Sequence, residues 1–307
     1  MKRRNIAILV ALFVGAFSLN GRVLFDGAKD QLTDKLDFLD GGKKKKEKIK
    51  IYTDSASKKF GNSDYSGAID DVTEAIKLNP KNSSLYEYRA RIYQNARIDS
   101  AALNDLNTAI YLDPKNSSLY LTRASFKKYR YYDIDGALED YTKAIEVDPN
   151  NSFLYYVRGN FKKSISTYKI KYKKSDYQGA ISDYNQAIKI RSDNPQYFLQ
   201  RGLIKEKLKD YKGAILDIDK AIDLDISQMY IRFFERGNIK DKLEDYLGAI
   251  SDYSKALEIN PDYKNAYLNR GIVKAKIRDY LGSISDFKKA KELYADESAV
   301  YNNIAKT

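Results

Sequence analysis

"DYLGAISDYSKALEINP", residues 245–261, contains no residue type that commonly does chemistry, yet the phrase returns along the chain. Residues 210–226 read "DYKGAILDIDKAIDLDI" and residues 279–294 read "DYLGSISDFKKAKELY". The positions equivalent to Ala249 are Ala68, Ala102, Ala137, Ala180, Ala214 and Ser283, at intervals of 34, 35, 43, 34, 35 and 34 residues. Seven residues further on stands an alanine each time: Ala75, Ala109, Ala144, Ala187, Ala221, Ala256 and Ala290. Twelve residues upstream (thirteen once, twenty-one once) lies a third small residue: Ala56, Ala90, Ala124, Gly159, Gly202, Gly237 and Gly271. Four residues before that is always an aromatic: Tyr52, Tyr86, Tyr120, Tyr155, Phe198, Phe233 and Tyr267.

Spacings of 3, 4 and 7 are helical. Small residues on two facing helices let the backbones approach, and the aromatics fill the space between successive pairs. Asp64, Asp176, Asp210, Asp245 and Asp279 stand where N-caps of each second helix belong. Pro80, Pro114, Pro149 and Pro261 follow its end, because proline cannot continue a helix. The unit is helix, turn, helix, turn, and the chain is all-α.

This pattern resembles the tetratricopeptide repeat. The resemblance covers residues 49–297 as seven repeats (49–82, 83–116, 117–151, 152–194, 195–229, 230–263 and 264–297), with 298–307 as a partial capping helix. It implies a right-handed superhelical solenoid whose first helices line a concave groove. It also implies a non-enzymatic scaffold that binds a protein or peptide segment there.

The repeats depart from the family in their charges. Arginine replaces the usual leucine before the small residue in six repeats (Arg89, Arg123, Arg158, Arg201, Arg236 and Arg270), and lysine follows four residues later in six. Each second helix carries an aspartate, from Asp71 to Asp286, three residues after its alanine. An active site would occur once rather than seven times. The expectation is therefore a set of ion pairs between helices, with Arg201→Leu altering stability more than binding.

Composition narrows the function classes. The 307 residues include neither cysteine nor histidine, which removes disulfides, thiolate chemistry, histidine-based triads and His/Cys zinc sites. No catalytic, metal or cofactor-binding residues are assigned. The net charge of +12 divides unevenly: residues 1–50 hold 12 Lys and Arg against 6 Asp and Glu, and the remaining 257 hold 42 against 36. A body with both signs mixed disfavours nucleic acid as a partner.

Lys2, Arg3 and Arg4 precede an apolar run from Ile6 to Phe17, the pattern of an export signal. Residues 1–18 are read as a signal peptide or N-terminal anchor, placing the protein outside the cytoplasm or on a membrane. Residues 19–48 are read as a linker containing an amphipathic helix over 23–40. Gly41-Gly42 is expected to break that helix ahead of the lysine run "KKKKEK", which offers contact with an anionic membrane surface. The fourth repeat carries nine extra residues, for which Phe161, Ile165, Tyr168 and Tyr172 predict a longer first helix. Its lysines make the 161–174 stretch, with the 43–50 run, the basis of an alternative function, charge-driven binding to an anionic membrane surface or nucleic acid.

The groove residues follow from helical geometry, since positions beside the aromatic anchor and four later share one face. They are Leu121, Tyr156, Leu199, Phe234 and Leu268, then Ser125, Asn160, Leu203, Asn238 and Ile272, with Phe153 and Ile231 one turn earlier. This stripe predicts apolar anchors for a bound segment, with Asn160 and Asn238 holding its backbone. Family members that grip a terminal carboxylate pair lysine with asparagine on this face. The stripe lacks those lysines, so capture of an acidic tail is not expected.

Overall fold

The computed structural model describes the backbone of residues 22–165, 175–225 and 229–304. Side chains are described over 41–165, 177–225 and 229–293. Fourteen α-helices occupy the described residues, without a strand among them. They fall into two compact units, residues 1–114 and 115–307.

The first unit holds α1 (Arg22–Gly61), α2 (Tyr65–Leu78), α3 (Ser83–Asn95) and α4 (Asp99–Leu112). The second holds α5 (Ser117–Phe126), a π-helical turn (Lys127–Tyr131), α6 (Ile134–Val147), α7 (Ser152–Ile165) and α8 (Ser175–Ile190). It continues with α9 (Pro195–Lys207), α10 (Tyr211–Leu224), α11 (Met229–Lys242), α12 (Tyr246–Ile259), α13 (Lys264–Lys276) and α14 (Tyr280–Ile304). Consecutive helices pair as hairpins. Within each unit the second helix of one hairpin packs on the first helix of the next.

The small residues that define the repeat are buried throughout, including Ala56, Ala90, Ala124 and the two repeat-defining positions of each second helix. Asp64, Asp133, Asp210, Asp245 and Asp279 cap their helices by accepting the N–H of the glycine three residues on, at 2.9–3.0 Å. Asp133 is a cap that the spacing did not single out. Asp176, expected as a cap, is the second residue of α8.

Immediately before the capping position, six turns place Ser63, Arg97, Tyr132, Lys209, Glu244 or Arg278 at φ of 52–66°. No glycine serves there, so each turn tolerates a left-handed residue that glycine would adopt more easily. The third hairpin has thirteen residues between its small positions instead of twelve, and the π-helical turn absorbs the extra one.

Two expectations fail at the chain's outer helices. Gly41-Gly42 does not interrupt α1, which runs through the lysine segment into the first repeat. Glycine ends a helix when it takes a left-handed conformation, and neither residue does. Residues 298–304 do not fold back as a cap either, since α14 continues straight to Ile304. Tyr294-Ala295 stands where other repeats carry Asn-Pro, for example Asn260-Pro261, so nothing stops the helix. The seventh repeat is left open as a result: Phe287 is 39% exposed, whereas Tyr253, its equivalent one repeat earlier, is 1% exposed.

The expected ion pairs are present and do more than join two helices. In six repeats the arginine of the first helix grips the aspartate of the second with two parallel bonds, Nε to Oδ2 and Nη2 to Oδ1, at 2.6–3.0 Å. In the first repeat Ser55 donates to Asp71 instead, at 2.7 Å. A lysine completes the pairing in six repeats, as Lys240 does on Asp252 at 2.8 Å. Burial opposes ionisation of Asp286, but hydrogen bonds from Arg270 and Lys274 outweigh it and hold the carboxyl below its ordinary range.

The arginine's remaining Nη1 reaches back to the preceding hairpin. Arg89 donates to Thr73, Arg158 to Thr142, Arg201 to Asn185, Arg236 to Asp219 and Arg270 to Ser254, at 2.5–3.2 Å. Each guanidinium also lies over its repeat's aromatic anchor, 5.2–5.9 Å from the ring centre. One side chain thus ties two helices of its own repeat and one of the previous repeat.

The expected export signal at residues 1–18 lies outside the described residues. So does the stretch 166–174, which holds most of the fourth-repeat insertion. Up to Ile165 that helix does not project from the unit, because Phe161 and Ile165 are buried against Ala137 and Tyr141. Among the described residues no helix is long and apolar enough to cross a membrane.

Candidate functional site

Four first helices of the second unit, α7, α9, α11 and α13, contribute equivalent positions to one cleft of about 760 Å³. Asn160, Leu203, Asn238 and Ile272 are those positions, each directly after the buried glycine of its repeat. Glycine lets the tyrosine of the second helix slide under the first helix. A Cβ on Gly159 would stand 2.8 Å from Tyr184 Cε1, and one on Gly237 at the same distance from Tyr253 Cε1.

Those tyrosines orient the asparagines. The Tyr184 hydroxyl donates to Asn160 Oδ1 at 2.8 Å, and the Tyr253 hydroxyl to Asn238 Oδ1 at 2.9 Å. Asn269 Nδ2 also donates to Asn238 Oδ1, at 2.8 Å. With each oxygen taken, the amide offers its N–H groups. Burial pushes the ionisation of Tyr184 and Tyr253 well above the usual tyrosine range, so both stay donors at any physiological pH.

The stripe anticipated from sequence separates into two rows. The row beside the aromatic anchor is largely packing. Phe234 is only 9% exposed, its ring set against Tyr253 and Tyr263, so it presents no free anchor to a ligand. Leu121 packs against the cluster of Ala124 and Tyr141, and Leu199 against that of Ala214 and Ile218. Tyr156 stacks among Phe153, Tyr184 and Tyr197. Leu268 and Ile231 are half-buried, as is Ser125. Phe153, at 52% exposed, and Ile272, at 47%, present apolar surface. The row four residues later is the one that meets the cleft.

Sequence reasoning missed the charged wall. Lys163, Glu206, Lys207, Glu235, Asp241 and Lys242 also line the cleft. Glu206 is buried and takes Lys242 on one oxygen, while Lys207 Nζ lies 3.7 Å from the other. Asp241 accepts Lys276 at 2.6 and 2.8 Å, and Lys163 donates to Gln200 Oε1 at 2.5 Å. Burial lowers the Lys163 pKa, aided by Lys207 nearby. Burial raises that of Glu235, with Glu206 adding to the shift and the Asn238 amide opposing it. One signal in the sequence could have pointed here: where asparagine follows the glycine of the first helix's small position, a tyrosine stands four residues beyond the second helix's small residue, in Asn160/Tyr184 and Asn238/Tyr253.

Comparison with known proteins agrees with this architecture. The TPR repeat model matches residues 169–209 and 237–277, and the tetratricopeptide repeat model matches residues 195–225. No curated protein matches the sequence. Among solved structures, the C-terminal part of a TPR repeat-containing protein from Cytophaga hutchinsonii aligns with a TM-score of 0.62 at 19% identity, over 78% of this chain and 93% of that one. A tetratricopeptide repeat protein from Parabacteroides merdae aligns with a TM-score of 0.54 at 18% identity, over 80% and 93%. YrrB, described as a TPR protein with an unusual peptide-binding site, aligns with a TM-score of 0.50 at 20% identity, over 65% and 97%. Seven helical hairpins with a repeating small-residue signature give this chain the fold of tetratricopeptide-repeat proteins, and residues 169–225 and 237–277 match the repeat itself.

Proposed function

We propose that the protein is a non-enzymatic scaffold that holds an extended protein or peptide segment in the cleft of its second unit. The observation that carries this reading is the row Asn160, Leu203, Asn238 and Ile272, which alternates amide donors with apolar side chains along one cleft. A peptide backbone needs donors for its carbonyls, and its side chains need apolar contact. Tyrosine-fixed asparagines supply the first without an entropic cost at binding, and Leu203 and Ile272 supply the second. YrrB, with its peptide-binding site, lends the fold-level precedent.

Photocrosslinking in the native cell tests the reading. A benzophenone amino acid at Ile272 or at Leu203 should capture the same partner, while one at the exposed Leu216 of α10 should not. Leu203→Asp should abolish capture from Ile272 without changing the helical circular dichroism. Capture that is equal from Leu216, or indifferent to Leu203→Asp, would place the partner elsewhere.

We also infer export, from the basic residues and apolar run of residues 2–17. Full-length chain recovered only from the cytosol, with Met1 intact, would refute it.

A further inference from the structure

The acids of the cleft are matched with one exception. Lys242 and Lys207 share Glu206, Lys276 holds Asp241, and Lys163 is bonded to Gln200. Glu235 has none of this. Among the described residues its one hydrogen bond comes from Asn238 Nδ2 at 3.5 Å, the long limit for such a bond. No lysine or arginine of the described residues forms an ion pair with it.

The position is unusual within the repeat as well. The residue two beyond the aromatic anchor is Gln200 in the repeat before and Asn269 in the repeat after, both neutral amides engaged with Lys163 and Asn238. A carboxylate stands in a row of amides, half-buried, with Lys163, Lys207 and Lys242 acting on it only from beyond ion-pair distance. Removing a carboxylate from water costs free energy unless charge and hydrogen bonds are returned to it. Nothing in the hairpin packing requires the charge, since the neighbouring repeats do without it.

We propose that Glu235 receives a cationic side chain, lysine or arginine, from the segment bound in the cleft. The proposal rests on the groove reading above and adds the chemistry of the partner. An ammonium or guanidinium arriving at Glu235 gains a charge-assisted bond in a site already partly stripped of water. Leu203 and Ile272 of the same cleft suit the aliphatic stem of such a side chain. The remaining acids do not compete for it, because their own lysines occupy them. The bound segment is therefore expected to be basic at one position and apolar beside it.

A random dodecapeptide library displayed on phage and panned against the full chain at neutral pH tests this directly. Peptides from the cleft are those lost on counter-screening with Leu203→Asp. They should be enriched at least about fivefold in Lys or Arg at one position. Their affinity for Glu235→Gln should fall about tenfold or more, as when one partner of a desolvated charge pair is removed. Circular dichroism confirms that the variant is folded. Leu203-dependent peptides without a basic preference, or with affinity unchanged by Glu235→Gln, overturn the proposal while leaving the groove reading intact. If no selected peptide depends on Leu203, the groove reading falls and this proposal with it.

Discussion

Arg236 binds Asp252 with two parallel hydrogen bonds, of 2.8 and 2.6 Å, and spends its third nitrogen on Asp219 of the preceding repeat at 2.5 Å. The hydrogen bonds to Asp252 and Asp219 hold the guanidinium proton far more tightly than in a free arginine. Asp252 is buried, so removing Arg236 leaves a carboxylate with Lys240 alone to satisfy it. Breaking such a buried pair typically costs about 3–5 kcal/mol. Arg236→Leu, and likewise Arg201→Leu, should lower stability by an amount in that range in urea unfolding. Because each clasp also spans two repeats, the loss should appear as reduced cooperativity, with a smaller m-value. An unchanged midpoint would assign the ladder to some role other than stability.

Gly237 and Tyr253 set the depth of the cleft. An added Cβ meets Tyr253 Cε1 at 2.8 Å and Cδ1 at 2.9 Å, and the ring is buried with no room to retreat. Overpacking of this kind costs about 1–3 kcal/mol. Gly237→Ala should be destabilised accordingly, and adding Tyr253→Val should restore part of the loss. The first repeat shows the compatible pairing, with Ala56 facing a second helix that carries Val72 at the tyrosine's position. Strictly additive effects in the double variant would contradict the contact.

Most of the fold was legible because the repeat multiplies weak signals. One alanine at helical spacing says little, but seven in register fix both helices and their mutual faces. The ion ladder was legible for the same reason. The groove was only half legible, since two rows of side chains satisfy the same helical periodicity. Phe234 and Leu203 are both apolar and both lie on the inner side of a first helix, yet one closes the core and the other meets the cleft. That distinction depends on the tilt of adjacent hairpins, which periodicity does not encode. The interruption expected at Gly41-Gly42 misled because glycine in sequence carries no record of its φ. The third contact made by Arg89, Arg158, Arg201, Arg236 and Arg270 was illegible because it joins positions in different repeats, where spacing gives no hint of approach.

Arg232 occupies a place in α11 where three other repeats carry Leu85, Leu119 or Leu154. It is 1% exposed, donates to the backbone carbonyl and the carboxylate of Asp225, and leaves Nε without a hydrogen-bond partner. A buried charge with an unsatisfied donor is a poor use of a core position. Replacing buried ion pairs by apolar residues of similar size is often neutral or stabilising by about 1–4 kcal/mol. Replacing both Arg232 and Asp225 by leucine should therefore raise the unfolding midpoint or leave it unchanged, whereas Arg232→Leu alone removes one partner of the pair and should lower it. A marked destabilisation of the double variant would show that the pair is needed to hold the end of α10 against α11.

Glu235 makes stability depend on pH with a sign opposite to that of the ladder. Its folded carboxyl titrates above the ordinary glutamate value because of burial, with Glu206 contributing and the Asn238 amide, Lys207 and Lys242 pulling the other way. Below about pH 4, where a free glutamate is protonated, folded and unfolded states both carry the proton and nothing is lost. As pH rises through the interval up to the raised folded value, the unfolded chain releases its proton first. Stability falls across that interval and stays lower above it. Glu235→Gln lacks this titration while keeping an oxygen for the Asn238 amide. The variant should thus melt above the wild type at pH 7, with the difference shrinking as the pH is taken down toward 4. Glu206, Lys207 and Lys242 are common to both proteins, so the comparison isolates Glu235. Thermal scans of the two proteins at half-unit pH steps measure that difference. A gap that widens on acidification would mean that Glu235 is stabilised as a carboxylate within the free protein, and a cation already serves it there.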